Sequence, residues 1–355
     1  MKKILLLSSC AIVLLFTDCR RKSTNPPVDT TVNELDVLTD FANVLVNPNY
    51  QDIQAKAALL NAAAQTLASS PTPANLVLAQ NAWRAVRVPW EQCEAYLFGP
   101  VEDFNYDPAT DSWPVNTVEL DSVLNSTNAL TLADIDALPF TLKGYHPAEY
   151  LLFGVGASKT AGELTPRQLQ YLVSLTQSLY NSTTALRNSW DVSIPGNFTE
   201  TLITAGAGST RYATRKEAFV AITSAMANIC HEVANGKMED PLAAHDSTLV
   251  ESQYAHNATE DFKNNMIGIQ NAYMCRYNST GISLHDLVAS YDLSFDNTIQ
   301  SQINTAIGSV AAIDPDYGKA IFTQVGQIQN AQAAINTLLG TFNQLTNFMQ
   351  TTIKD

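Results

Sequence analysis

The sequence predicts an all-α protein built as two tandem, duplicated helical bundles. Ala, Leu, Gln and Asn are abundant, whereas alternating Val/Ile/Thr segments are rare. Apolar residues recur at three- and four-residue spacing along successive stretches, and Pro, Gly and Asn punctuate them where helices start and stop. With 355 residues, 46% of them hydrophobic, the chain can bury a substantial core in one large or two ordinary domains.

Taken in order, residues 1–19 read as a lipoprotein signal peptide. Lys2 and Lys3 precede an apolar run from Ile4 to Phe16 that is too short to span a membrane comfortably by itself. Cys19 stands where a bacterial lipoprotein is cleaved and acylated, although Phe16-Thr17-Asp18 is a loose version of that site. Leu7-Ser8-Ser9-Cys10 has better letters but leaves too short an apolar run. The expectation is a lipid on Cys19, with a secreted, unlipidated protein as the alternative, and a tether over residues 20–30.

The first bundle is expected over residues 31–190 and the second over 191–355. A first helix over 32–46 carries Leu35, Leu38, Ala42 and Leu45 on one face, and Pro48 stops it. A second covers 52–68. A third runs from 74 toward 97 with Leu76, Ala79, Trp83, Val86 and Trp90, kinked at Pro89. The acidic, turn-rich stretch 99–114 reads as an ordered loop. In "KGYHPAEYLLFG", Gly144 ends one backbone direction and Pro147 fits a helix's first turn, which would leave the His146 ring pointing out of the bundle. Long helices follow over 166–190 and over 211–234, the latter closed by Asn235 and Gly236, and helix pairs broken near Asp314 and Pro315 fill 295–353. One internal echo supports duplication: Tyr96 and Tyr254 each precede Glu-Asp-Phe at the same spacing.

The formal charge of −14 repels nucleic acid and suits cations as partners. Beyond Cys10 and Cys19, only Cys93, Cys230 and Cys275 remain, which allows one disulfide at most and no finger-type zinc site. No GxSxG elbow, P-loop or dinucleotide glycine motif occurs. His146 and Glu149, on a Gly-x-His-x-x-Glu frame, share one helix face as two ligands or an acid/base pair would, or as a local hydrogen-bonded pair does. HExxH zinc chemistry needs a second histidine and a general base that this segment lacks. Further ligands must come from elsewhere, and an oxygen-rich set suits iron, calcium or magnesium better than thiolate-type zinc. Glu94 and Glu251 are the strongest candidates, while Glu91, Glu260 and Arg84 read as solvated helix faces. Asp261 and His256 are further candidates on the Glu251 segment; His231 reads as packed or partly exposed in a helix, and His245 and His285 lie in loop-like stretches without ligand spacing.

Together, Trp83, Arg87, Trp90-Glu91 with Glu94, "DSWP", Gly144-x-His146-x-x-Glu149, "GKMEDPL" and "VESQYAHNATEDFKNNMIGIQNAY" resemble the imelysin family, in family order over nearly the whole mature chain. The resemblance implies an all-α bacterial envelope protein of two related helical bundles with the Gly-x-His-x-x-Glu site at their junction, often a lipoprotein, associated with iron acquisition, and in some members described as a metallopeptidase. Carried over by position, His146 and Glu149 are the motif residues, with Glu94 and Glu251 as further metal ligands and Trp83, Arg87 and Gly144 as cleft neighbours. The expectation is a non-catalytic, outer-membrane-anchored protein facing the periplasm or cell surface. It would bind iron, or an iron-related ligand or envelope partner, with zinc or another divalent ion as the metal alternative. The competing expectation is a metallopeptidase with His146 and Glu149 as its catalytic residues.

Overall fold

The computed structural model describes residues 32–353; the predicted signal peptide, Cys19 and the tether lie outside the described residues. Within them, regular structure is helical, apart from an isolated bridge between Arg276 and Thr280. The helices sort into two packed groups. Asn47–Ser69, Pro73–Cys93 and Pro166–Trp190 form the first, with the short Leu132–Asp136 and Tyr145–Phe153 helices laid against it. Arg215–Glu232, Ala258–Met274, Leu293–Ala311 and Val325–Thr352 form the second.

The groups meet where Pro73–Cys93 packs on Ala258–Met274. A Cβ on Gly268 would lie 2.2 Å from the Gln92 carbonyl oxygen, so only glycine permits this approach. Polar side chains bind the seam: Gln92 Nε2 donates to Asn264 Oδ1 at 2.9 Å, and Asn265 Nδ2 donates to the Glu91 carbonyl at 3.0 Å. A close backbone crossing and a polar ladder therefore position everything that follows.

Several element boundaries differ from the sequence expectation. Pro48 does not stop the first helix: Glu34–Asp40 passes through a π-helical turn, Phe41–Val46, directly into Asn47–Ser69. Pro48 sits in the first turn of the last segment, where a missing N–H costs little, and the wider turn lets the Asn47 N–H and side-chain amide both reach the Ala42 carbonyl. Stretch 99–114 contains two short helices, Pro100–Asp103 and Tyr106–Asp111. Helix Arg215–Glu232 starts at a Thr214/Glu217 capping box and continues into a second π turn, Val233–Lys237, instead of closing at Asn235 and Gly236. His285 lies on helix Leu284–Tyr291, its ring 2.7 Å from buried Asp296. Helix Pro166–Trp190 begins and ends as expected, capped by Thr165 and Gln168. The Tyr/Glu-Asp-Phe echo does not extend to environment, because Phe104 is exposed whereas Phe262 is in the core. Cys93, Cys230 and Cys275 are buried free thiols.

Candidate metal centre

The motif helix, Tyr145–Phe153, starts from Gly144 at φ 82°, and a Cβ there would lie 2.0 Å from the Thr110 carbonyl oxygen. The motif glycine thus lets the end of helix Tyr106–Asp111 press against the start of the motif helix, which brings Asp111 to His146. The Trp83 indole N–H fixes the same start by donating to the Tyr145 carbonyl at 2.9 Å. Contrary to the sequence expectation, the His146 ring does not point out of the bundle; it is fully buried at the junction. It lies in the first turn of a helix whose start is held against Pro73–Cys93 by the Trp83 bond.

Glu149 holds that ring. Its Oε2 lies 3.1 Å from His146 Nδ1, and its Oε1 accepts the Ala255 backbone N–H at 2.8 Å. The other ring nitrogen, Nε2, lies 3.1 Å from Asp111 Oδ1 and 3.7 Å from Glu251 Oε1. It is close enough to pair with both, yet has no aligned hydrogen-bond partner. The Trp113 ring closes this side, its centroid 5.0 Å from that of the imidazole.

Arg87, fully buried, is the hub beneath. It donates to Asp111, to Glu91, and to Glu251 at 3.2 Å, and lies 3.6 Å from Asp261. Trp90 Nε1 donates to the second Asp111 oxygen at 2.6 Å. Lys237 bridges the other flank, 3.0 Å from Glu94 Oε2 and 3.1 Å from Glu251 Oε2. Asn265 Nδ2 reaches Glu91 Oε2 and Glu94 Oε2, both at 2.7 Å. Asp261 accepts from Ser252 Oγ at 2.5 Å and from Asn257 Nδ2 at 2.7 Å.

Six carboxylates, Glu91, Glu94, Asp111, Glu149, Glu251 and Asp261, therefore converge on two cationic side chains, Arg87 and Lys237, and one imidazole. The electrostatic consequence is uneven protonation. Burial opposes ionisation of Asp111, but Arg87 and His146 outweigh it and hold the carboxyl well below its usual range. Burial likewise opposes Glu251, and Lys237, His146 and Arg87 bring it down to about 2. For Glu91 and Glu94, burial dominates and pushes both well up. Burial takes Asp261 up to about 6 despite Arg87. Burial disfavours the His146 imidazolium, yet the nearby carboxylates of Asp111, Glu149 and Glu251 raise it well above its ordinary value. The cluster is short of positive charge and compensates by holding protons.

Two sets of potential ligand atoms each converge within 4.8 Å: Asp111, His146 and Glu251, and Glu91, Glu94 and Asp111. The predicted residues His146, Glu149, Glu94, Glu251 and Arg87 thus come together, but Glu149 serves as the orienting partner of His146 outside both convergent sets. Such a carboxylate–histidine pair fixes the tautomer of a metal-binding imidazole. Glu91, read from sequence as solvated, is fully buried. Glu260 is exposed and paired with Lys263, Arg84 donates to the Ala255 carbonyl, and His256 pairs with Asp316 outside the cluster. Asp261, a candidate on the Glu251 segment, does join the cluster, whereas Asp111 and Lys237 carry no ligand spacing in the sequence and are marked there only by "DSWP" and "GKMEDPL".

Comparison with known proteins bears on the family and the fold. The imelysin (peptidase M75) family description matches residues 46–345. The chain belongs to the imelysin family. Iron-regulated protein A of Synechococcus elongatus is 31% identical over 234 residues, covering 66% of this chain and 62% of that protein, so the match spans less than two thirds of the relative. The crystal structure of a candidate iron-regulated protein A precursor from Parabacteroides distasonis superposes with a TM-score of 0.81 at 26% identity, covering 92% of this chain and 96% of that one. An imelysin-like protein from Psychrobacter arcticum shares the fold, with a TM-score of 0.69 at 16% identity over 91% of this chain and 94% of its own. In this imelysin-family chain, the Gly-x-His-x-x-Glu motif contributes the close backbone contact, the imidazole and its orienting carboxylate.

Proposed function

We propose that this imelysin-family protein is a non-catalytic iron-binding protein of the bacterial envelope. It holds iron, or an iron-bearing ligand, at the junction cluster during iron uptake. The observation that carries the reading is His146: Glu149 occupies Nδ1, and buried Nε2, without a hydrogen-bond partner, faces Asp111 and Glu251. A buried imidazole nitrogen left in this state, among carboxylates in excess of cations, is what a cation ligand set presents before loading. The donors are oxygens and one imidazole nitrogen with no thiolate, which suits iron ahead of thiolate-type zinc. The iron-regulated relative adds support from biology. Acylation of Cys19 would tether the protein to the outer membrane, facing the periplasm or the cell surface, where another envelope protein could deliver or accept the metal.

The family description favours a second reading, a metallopeptidase. That chemistry needs an accessible general base, whereas both Glu149 oxygens are engaged and the residue is fully buried. The deciding measurement is metal content and Fe2+ affinity of the purified protein beside His146→Ala, with a peptide-cleavage assay in parallel. Stoichiometric iron, lost in the variant and without turnover, is expected. Metal-dependent cleavage abolished by the substitution would establish the peptidase instead, and absence of both binding and cleavage would refute both readings.

A further inference from the structure

The position between Glu94 and Glu251 is already filled by a positive charge that the protein supplies itself. Lys237, on the π turn Val233–Lys237, places Nζ 3.0 Å from Glu94 Oε2 and 3.1 Å from Glu251 Oε2. Arg87 is sealed beneath the cluster, held by Asp111, Glu91 and Glu251. Lys237 differs: its side chain is 12% exposed and, with Trp113, Glu232 and Glu251, it lines a solvent-facing pocket of about 680 Å³. On its outer side stands Glu232, 3.6 Å from Nζ and 55% exposed. The ammonium therefore lies between the buried carboxylates and solvent, with an alternative carboxylate already within reach at the rim.

Glu251 faces both cation positions. Lys237 Nζ reaches both of its oxygens, Oε2 at 3.1 Å and Oε1 at 3.4 Å, and Oε1 also lies 3.7 Å from His146 Nε2. A metal ion bound to His146 and Glu251 would sit within a few ångströms of the ammonium, where two like charges repel strongly in a water-poor site. The surplus of carboxylates rewards replacing one positive charge by two or three. A monovalent ion gains nothing over an ammonium that the chain keeps at high local concentration.

We infer that Lys237 is a displaceable internal cation: it holds the carboxylates together in the metal-free protein and swings out to Glu232 and the pocket when a multivalent metal ion enters. The inference rests on the metal-binding reading above and adds to it a gate and a charge threshold. Lys237 competes with the metal, opens the route from the pocket as it leaves, and admits divalent or trivalent ions in preference to sodium or potassium.

The test reads the lysine and the metal separately, on the full protein under nitrogen with Fe2+ as the probe. Pulse acylation of amines at fixed pH, followed by mass spectrometry of the peptide containing Lys237, should show several-fold faster modification of Lys237 in the Fe2+-loaded protein. No acceleration should occur in His146→Ala with the same Fe2+ added. Calorimetry should show Lys237→Met binding Fe2+ tighter than wild type by on the order of ten-fold, the reciprocal of the competition. Wild-type protein that binds Fe2+ while Lys237 acylation stays unchanged or slows overturns the inference and leaves the metal reading intact, as does a folded Lys237→Met that binds equally or more weakly. Absence of Fe2+ binding in wild type refutes the metal reading itself. Should Lys237→Met fail to fold, the wild-type acylation ratio decides alone.

Discussion

Replacing Arg87 with methionine should destabilise the protein strongly, and in a pH-dependent way. The guanidinium is fully buried and donates to Asp111, Glu91 and Glu251, with Asp261 at 3.6 Å. Methionine keeps much of the packing against Trp83 and Tyr145, whose ring centroids lie 5.8 and 5.1 Å from the guanidinium carbon, and removes only the charge and its donors. Breaking a buried ion pair by removing one partner costs about 3–5 kcal/mol, because the remaining charge is left uncompensated. At about 2 °C per kcal/mol for a chain of this size, the melting midpoint should fall by roughly 6–10 °C at pH 7.

The sign of the pH dependence follows from the carboxylates left behind. In wild type, Asp111 has a depressed folded value, so its contribution is present above the unfolded carboxylate range and is lost as pH falls below it. Without Arg87 that contribution disappears and the buried carboxylates favour their protonated forms. The difference between wild type and variant should therefore be largest at neutral pH and shrink toward pH 4, because the variant's buried carboxylates, no longer neutralised, take up protons in the folded state over that range. Melting curves of both proteins between pH 4 and 8 measure it. A difference below about 1 kcal/mol at pH 7, or one that does not change with pH, would refute the account of Arg87 as the counter-ion of a charge-deficient cluster.

Other consequences can be checked with the same material. Burial raises Asp107 to about 7 and Asp261 to about 6, so each folded value lies above its unfolded one. The metal-free protein should lose stability as pH rises from about 4 to 7, because the unfolded chain releases those protons first; added Fe2+ should flatten or reverse that slope, and a metal-free melting midpoint that climbs with pH over this window contradicts it. Glu149→Gln keeps an acceptor for the Ala255 N–H but turns a donor toward His146 Nδ1, which moves the ring proton to Nε2. Fe2+ affinity should drop by about 10–100-fold with little change in melting midpoint, and unaltered affinity would remove Glu149 from its orienting role. Gly268→Ala puts a methyl group against the Gln92 carbonyl and should cost about 1–3 kcal/mol by forcing the two helices apart, with weaker Fe2+ binding in step; a variant as stable as wild type would show that the crossing is not tight.

Sequence periodicity sufficed for the all-α class and for long helices such as Pro166–Trp190, whose Thr165 cap and first-turn proline are local signals. The Gly-x-His-x-x-Glu frame singled out His146 and Glu149, the two tyrosine-containing segments brought in Glu94 and Glu251, and the family resemblance implied Arg87. Local rules failed where the chain departs from them: Pro48 was a stop signal until a π turn absorbed it, and Asn235 and Gly236 were a terminus until a second π turn carried Lys237 inward.

What the tertiary structure alone decided is how the charges are distributed. Glu91 and Glu260 look alike as helix-face carboxylates; packing of the two helix groups buries Glu91 beside Arg87 and leaves Glu260 in solvent with Lys263. Asp111 reaches His146 only because Gly144 lets two backbones touch, a contact between residues far apart in the chain. Burial and the identity of each counter-ion are properties of that crossing. The sequence therefore determined which groups are present, and the fold determined which of them share protons, which face a cation position, and which lysine stands in the way.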